Sequence, residues 1–179
     1  MILRSNELIL IDRNRLGEIK SSFNKNKALS EKKNIWVLKL AKLYKVNVTE
    51  DQVTGSMLEE LWNKVDIVPP SLAMAQAWGT SRFASTGNAV YGQWTWGGNS
   101  IKPEKQRKEL GNYGIAAFET LQESVSAYML NLNTHNAYNG LRDKRAELRN
   151  KNQKITGLLM AETLTKYSER GEEYVKGLK

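Results

Sequence analysis

The chain has 179 residues, 40% of them hydrophobic and 26% charged, which suits one globular domain with at most a small subsidiary lobe and excludes wholesale disorder. It has no cysteine and a single histidine, His135, so disulfides, thiolate chemistry and a multi-histidine metal site are excluded, and no cofactor or metal is expected. The formal charge of +8 favours an anionic partner, which could be nucleic acid, a membrane surface or an acidic cell-wall polymer; the sign does not choose among them.

The start, "MILRSNELIL", lacks the basic and apolar regions of a signal peptide. In "SNELILIDRNRLGEIKSSF", Leu8, Ile9, Leu16, Ile19 and Phe23 fall on one helical face, interrupted by Gly17. Ser30 is placed to cap a second helix with Trp36, Leu40, Leu43 and Tyr44 along one stripe. "SMLEELWNKV" follows the punctuation of Gly55 as a third, and Pro70 suits the first turn of a fourth that runs through "SLAMAQA".

Helical period then lapses. The stretch from Gly87 to Phe118 carries six of the 13 glycines, and "YGQWTWGG" and "NYGIAAF" read as short strands around the basic, turn-rich "IKPEKQRKEL". It returns at "TLQESVSAYMLNL", where Thr120 and Glu123 form a capping box and Leu121, Val125, Tyr128, Met129 and Leu132 share a face. "AYNGLRDKRAELRN", "ITGLLMAETLTKYS" and "RGEEYVKGL" complete the helical set. The expected fold is α+β and mainly α. A helical extension covers 1–54, the helical body 55–86 and 119–179, and a small β-hairpin lobe 87–118.

A helical body with a β lobe suggests a cleft of the kind glycan hydrolases use, but fold alone does not fix function. Glycosidases of the common type need a protonated carboxylic acid beside the scissile oxygen and a second carboxylate across the sugar. The helix "SLAMAQA", which faces the lobe, contains no glutamate.

"VPPSLAMAQA", "WGTSRFA", "GNAVYGQWTW", "SVSAYMLNLNTHNAY" and "LTKYSERGEEYV", in that order, together with "NELILIDRNRL" near the start, resemble the bacterial Bax-type proteins of the glucosaminidase-domain family. These are similar to glycoside hydrolase family 73 and unrelated to the apoptosis regulator of that name. The resemblance implies a lysozyme-like fold with a cleft and cleavage of the β-1,4 linkage of N-acetylglucosamine in peptidoglycan. It also implies a periplasmic or cell-wall location; a monomer is expected, and the composition argues against a membrane span. The family's helix ends in Ala-Gln-Ala, about five residues including Glu-Ser, then Trp-Gly. Here Ala77 joins Trp78 directly, so the segment bearing the catalytic glutamate is missing. Losing about five helical residues shortens the axis by ~7.5 Å and turns the downstream chain by roughly 140°, so Trp78 is not expected in its family position.

The resemblance carries over residue by residue. Tyr167 matches the late tyrosine opposite the acid, placed to orient the acetamido group or the attacking water; the bland alternative is a half-buried tyrosine with a satisfied hydroxyl. Asn88, Tyr91, Gln93 and Trp94 match the wall that binds substrate, since indoles stack on sugar faces and amides bond hydroxyl and N-acetyl groups, and Trp78 of the displaced Trp-Gly is counted with them as a substrate-binding candidate. Packing is the alternative, above all for Tyr91. Glu104 and Glu109 are the candidates for a second carboxylate in the lobe segment, although "EKQRKE" also reads as a solvated charge run. Glu162 and Glu169 adjoin the C-terminal motif, Tyr128 and Tyr138 read as core, and His135 as a packed or capping residue. Two functions therefore stand open, a peptidoglycan-directed glucosaminidase and a glycan-binding protein without catalysis. Nucleic-acid binding through "RDKRAELRNKNQK" is set aside, because that run reads as an exposed helix face and "GNAVYGQWTW" has no role in it.

Overall fold

The computed structural model describes residues 1–48, 51–80, 88–103 and 111–179, apart from the side chains of 79 and 80. Four helices come first: α1 (Ile2–Asn26), α2 (Glu31–Leu43), α3 (Gly55–Lys64) and α4 (Pro70–Thr80). Strands β1 (Trp94–Thr95), β2 (Ser100–Ile101) and β3 (Gly114–Ala116) follow, and then α5 (Leu121–Thr134), α6 (Asn139–Asn150), α7 (Gly157–Ala161) and α8 (Glu172–Leu178). The fold is α+β and mainly helical. The lobe is not a simple hairpin: β3 lies between β1 and β2, antiparallel to both, with Trp94 opposite Ile115 and Ser100 opposite Ala116.

Local chemistry accounts for four of the helix starts. Pro70 opens α4, where its missing N–H costs nothing. Thr120 accepts from the Glu123 N–H while Glu123 reaches back to the Thr120 N–H, closing the capping box of α5. Thr54 and Thr156 cap α3 and α7. Ser30 stands at the N-cap of α2, but its hydroxyl makes no cap bond. Gly157 is required by close approach: a Cβ there would press on Ser71 and lie 2.8 Å from the Leu72 nitrogen, so its absence lets α7 pack directly on α4.

Two apolar cores result. One gathers Leu16 and Ile19 of α1, Val37 and Leu40 of α2, and Leu58 and Leu61 of α3. The other gathers Leu72 of α4, Tyr91, Val125, Tyr128 and Leu132 of α5, Leu141 of α6, and Met160 and Leu164. Gly17 serves the first core, because the Trp62 ring lies where a Cβ would point. Helix α3 thus packs with the N-terminal helices, and the change of core falls near Val65–Val68.

Leu8, Leu43 and Leu121 are exposed rather than on the buried faces. Polar residues share the inner face of α1 with Leu16 and Ile19. Ser5, Asn6 and Arg13 are buried, and the Asn6 amide donates to the Val68 carbonyl at 2.8 Å and accepts from its N–H at 3.0 Å.

The basic run on α6 is likewise not wholly an exposed face, since Arg142 and Arg145 are buried. Arg145 donates to the carbonyls of Asn63 (3.0 Å) and Ile67 (2.8 Å) and to the Asn133 side chain (2.8 Å). Arg13 donates to the carbonyls of Trp62 and Val65, both at 2.7 Å. The last turn of α3 leaves such carbonyls without helical partners, and cationic forks satisfy them. Asp66 supplies the counter-charge through a two-pronged bond to Arg149 (2.7 and 3.1 Å), with Arg13 at 3.5 Å and Arg145 at 3.7 Å. Burial pushes the Asp66 carboxyl up, but the Arg149 bond and the charges of Arg145 and Arg13 outweigh it and hold the pKa below the ordinary 3.8. A cavity of about 290 Å³ opens beside this cluster, walled by Lys20, Glu59, Trp62 and Arg149.

Candidate functional site

Helix α4 runs through Ala77 and Trp78 without a break and carries no carboxylate. Its apolar face is interrupted by one buried amide, Gln76, 1% exposed. Gln76 accepts from the Tyr128 hydroxyl of α5, and its Nε2 donates to the Tyr174 hydroxyl of α8 at 3.0 Å.

Stacking continues the connection. The rings of Tyr128 and Tyr91 lie face to face, with centroids 3.7 Å apart. The Tyr91 carbonyl accepts from the Tyr167 hydroxyl at 3.2 Å, and the Tyr167 ring stacks on Tyr174 at 5.5 Å. Gln76, Tyr128, Tyr91, Tyr167 and Tyr174 therefore form a closed circuit that ties the base of the lobe to four segments of the helical body. Tyr138 adjoins it, 6.0 Å from Tyr167.

This circuit is neutral. Burial pushes the Tyr91 and Tyr174 hydroxyls up to about 12, and burial with the neighbouring tyrosines raises Tyr128 and Tyr167 well above 10.0. Each remains a protonated hydrogen-bond donor at neutral pH, which suits the group to holding geometry and makes it a weak acid.

The residues singled out in the sequence divide accordingly. Tyr91 is 2% exposed, so its ring belongs to the core rather than to a binding wall. Asn88 holds a left-handed backbone (φ 50°), and its amide donates to the carbonyls of Phe118 (3.1 Å) and Glu119 (2.9 Å), joining the two ends of the lobe. The Gln93 amide turns toward the Ala127 carbonyl at 3.4 Å, and its oxygen is buried without a partner. Tyr167 has the satisfied hydroxyl of the bland alternative.

Trp94 and Trp78 differ. Trp94 is 44% exposed on β1, tilted against Tyr113 at 5.1 Å, and Trp78 is 86% exposed on α4. The next residue but one after Trp94, Trp96, is 63% exposed. Glu104 and Glu109 lie outside the described residues.

Among the described residues, the carboxyl that burial raises above its ordinary 3.8 is Asp12 of α1, opposed by Arg15 and close enough to Tyr44 to act on its hydroxyl; it belongs to the N-terminal core. Glu162 pairs with Lys179 at 2.9 Å, which lowers its pKa. Tyr128 and Tyr138 are core residues, and His135 caps the turn Asn136–Tyr138 by accepting from the Ala137 N–H at 3.1 Å. No group of three or more His, Asp or Glu side chains among the described residues is arranged to hold a metal.

Gln76, Tyr174 and Trp96 escaped the sequence reading as candidates. A polar residue inside the apolar run "SLAMAQA", and tyrosines seven apart at 167 and 174, were the available signals.

Comparison with known proteins bears on the resemblance at this point. The chain is 35% identical over 144 residues to Protein bax of Escherichia coli (strain K12). It is similar to a bacterial Bax-type protein. The match covers 75% of this chain and 49% of the relative, so the chain spans about half the length of that protein. No family model matches the chain, and no solved structure matches it.

Proposed function

We propose that this chain is a Bax-type protein that binds N-acetylglucosamine-containing cell-wall glycan and lacks general-acid hydrolysis of its own. The observation that carries this reading is the uninterrupted α4, which delivers an exposed Trp78 where the resembled family delivers an acid. The exposed indoles of Trp94 and Trp96 on the lobe support it, because a flat aromatic face offers area to the C–H face of a sugar ring.

The test is binding and chemistry side by side on purified peptidoglycan and chitooligosaccharide. Wild-type protein is expected to bind and to leave the number of reducing ends unchanged. Trp94→Ala removes a contact face and lowers affinity by about 1–3 kcal/mol, read only after a melting curve shows that the variant, which also loses packing on Tyr113, is folded. Unchanged affinity in a folded Trp94→Ala variant takes this residue out of the site, and failure of the wild type to bind either glycan sinks the proposal.

A second reading is hydrolysis of the β-1,4 bond, favoured by the match of "WGTSRFA" and "LTKYSERGEEYV". Here Glu104 or Glu109 supplies a carboxylate and Tyr167 positions the substrate or water. New reducing ends made by the wild type and abolished in Glu104→Gln or Glu109→Gln would establish it against the first.

A further inference from the structure

The net positive charge of this chain arises almost entirely in its first 45 residues. Residues 1–45 hold eleven lysines and arginines against four acidic residues, a net +7 of the chain's +8. Helix α2 displays that excess on an ordered surface. Its inner face buries Val37, Leu40 and Ala41, with Tyr44 following, against α1 and α3. At 100° per residue, Lys32, Ile35, Lys39, Lys42 and Leu43 fall within an outer arc of about 100°.

All five are exposed, Ile35 by 46% and Leu43 by 53%. Lys25 and Lys27, at the turn into α2, are exposed as well, and Glu31 is the one acidic residue of the helix. No carboxylate among the described residues pairs with Lys32, Lys39 or Lys42.

We propose that this outer face of α2 docks onto an anionic phospholipid bilayer surface. Branched aliphatic side chains set between lysines fit that partner. The lysine stems lie along the acyl boundary while the ammonium groups reach lipid phosphates, and Ile35 and Leu43 enter the headgroup region between them. A nucleic acid gives two exposed aliphatics nothing to enter, and α2 offers neither an arginine fork nor an exposed aromatic for bases.

At 13 residues the helix is too short to cross a bilayer, and no described helix is long and apolar enough to do so. It lies on the surface. The face is built from residues of α2 alone, with Trp78 on α4 and Trp94 on β1, and the proposal does not depend on the glycan reading.

Co-sedimentation of the full chain is the test, using vesicles with about one-third phosphatidylglycerol in phosphatidylcholine against pure phosphatidylcholine. Binding to the anionic vesicles, weakened by salt, is expected. Each reversal changes the charge by two, so Lys39→Glu alone should lower it by about 30-fold, and Lys32→Glu, Lys39→Glu and Lys42→Glu combined by well over ~100-fold. Ile35→Ser with Leu43→Ser keeps the charge and should cost about tenfold. Circular dichroism melts show whether each variant is folded, and the single Lys39→Glu result decides if the triple variant is not. No binding, equal binding to both vesicle types, or unchanged binding of Lys39→Glu overturns the proposal. So does unchanged vesicle binding of the serine pair together with equally tight binding to duplex DNA, which would make the face a general polyanion site.

Discussion

Replacing Gln76 by methionine keeps the volume of the side chain nearly constant, so little of its effect comes from a cavity. What it removes is specific: the acceptor for the Tyr128 hydroxyl and the donor to Tyr174. Two hydrogen bonds contribute about 1 kcal/mol each. Tyr128 is fully buried, so its stranded hydroxyl adds an unsatisfied-donor cost of about 1–3 kcal/mol, whereas the half-buried Tyr174 can turn to water. The expected loss is about 3–5 kcal/mol, or roughly 6–20 °C in melting temperature for a chain of this size. Urea and thermal unfolding followed by circular dichroism would measure it. The decisive comparison is with Tyr128→Phe, since the double variant strands neither partner. It should cost less than the sum of the singles by about 1–2 kcal/mol. Additivity within about 0.5 kcal/mol, or a Gln76→Met variant as stable as the wild type, would refute the circuit as a coupled unit.

The tyrosine circuit also predicts an alkaline transition. Tyr91 and Tyr174 have folded pKa values of about 12 against an ordinary 10.0, so their contribution is present in full below pH 10 and is lost as the pH rises through 12. A stability profile that stays flat over that window would contradict it. Asp66→Asn leaves Arg13, Arg145 and Arg149 without their shared counter-charge and should cost about 3–5 kcal/mol at pH 7. The native Asp66 carboxyl titrates below 3.8, so its contribution is present above that value and fades as the pH falls below it. The variant should lose this part of the acid dependence in urea titrations.

The helices and their starts were legible where local chemistry decides them: Pro70 at the head of α4, Thr120 with Glu123 at α5, and the apolar spacing of Val125, Tyr128 and Leu132. The central position of β3 was not, because two- and three-residue strands carry too little alternation to reveal their pairing. Leu8 misled, since apolar periodicity cannot foresee that Asn6 and Arg13 take buried places on α1 by bonding backbone carbonyls; Leu43 misled because the last turn of α2 turns Tyr44 inward instead. At the site, motif matching picked out Tyr91, Gln93 and Asn88 but could not tell that each turns inward, which depends on partners 30 or more residues away at Tyr128, Ala127 and Phe118. The indoles of Trp78 and Trp94 could be named from the sequence; their exposure could not.

The guanidinium of Arg145 has a topological consequence. Its backbone acceptors lie 78 to 82 residues back along the chain, so its bonds clasp the end of α3 to α6 across everything between, including α4, the whole lobe and α5. A protease that cuts once in the lobe therefore separates the chain covalently without parting its halves. The two pieces are expected to run apart on a denaturing gel and together on a native one, held by the clasp and by the cores on either side of it.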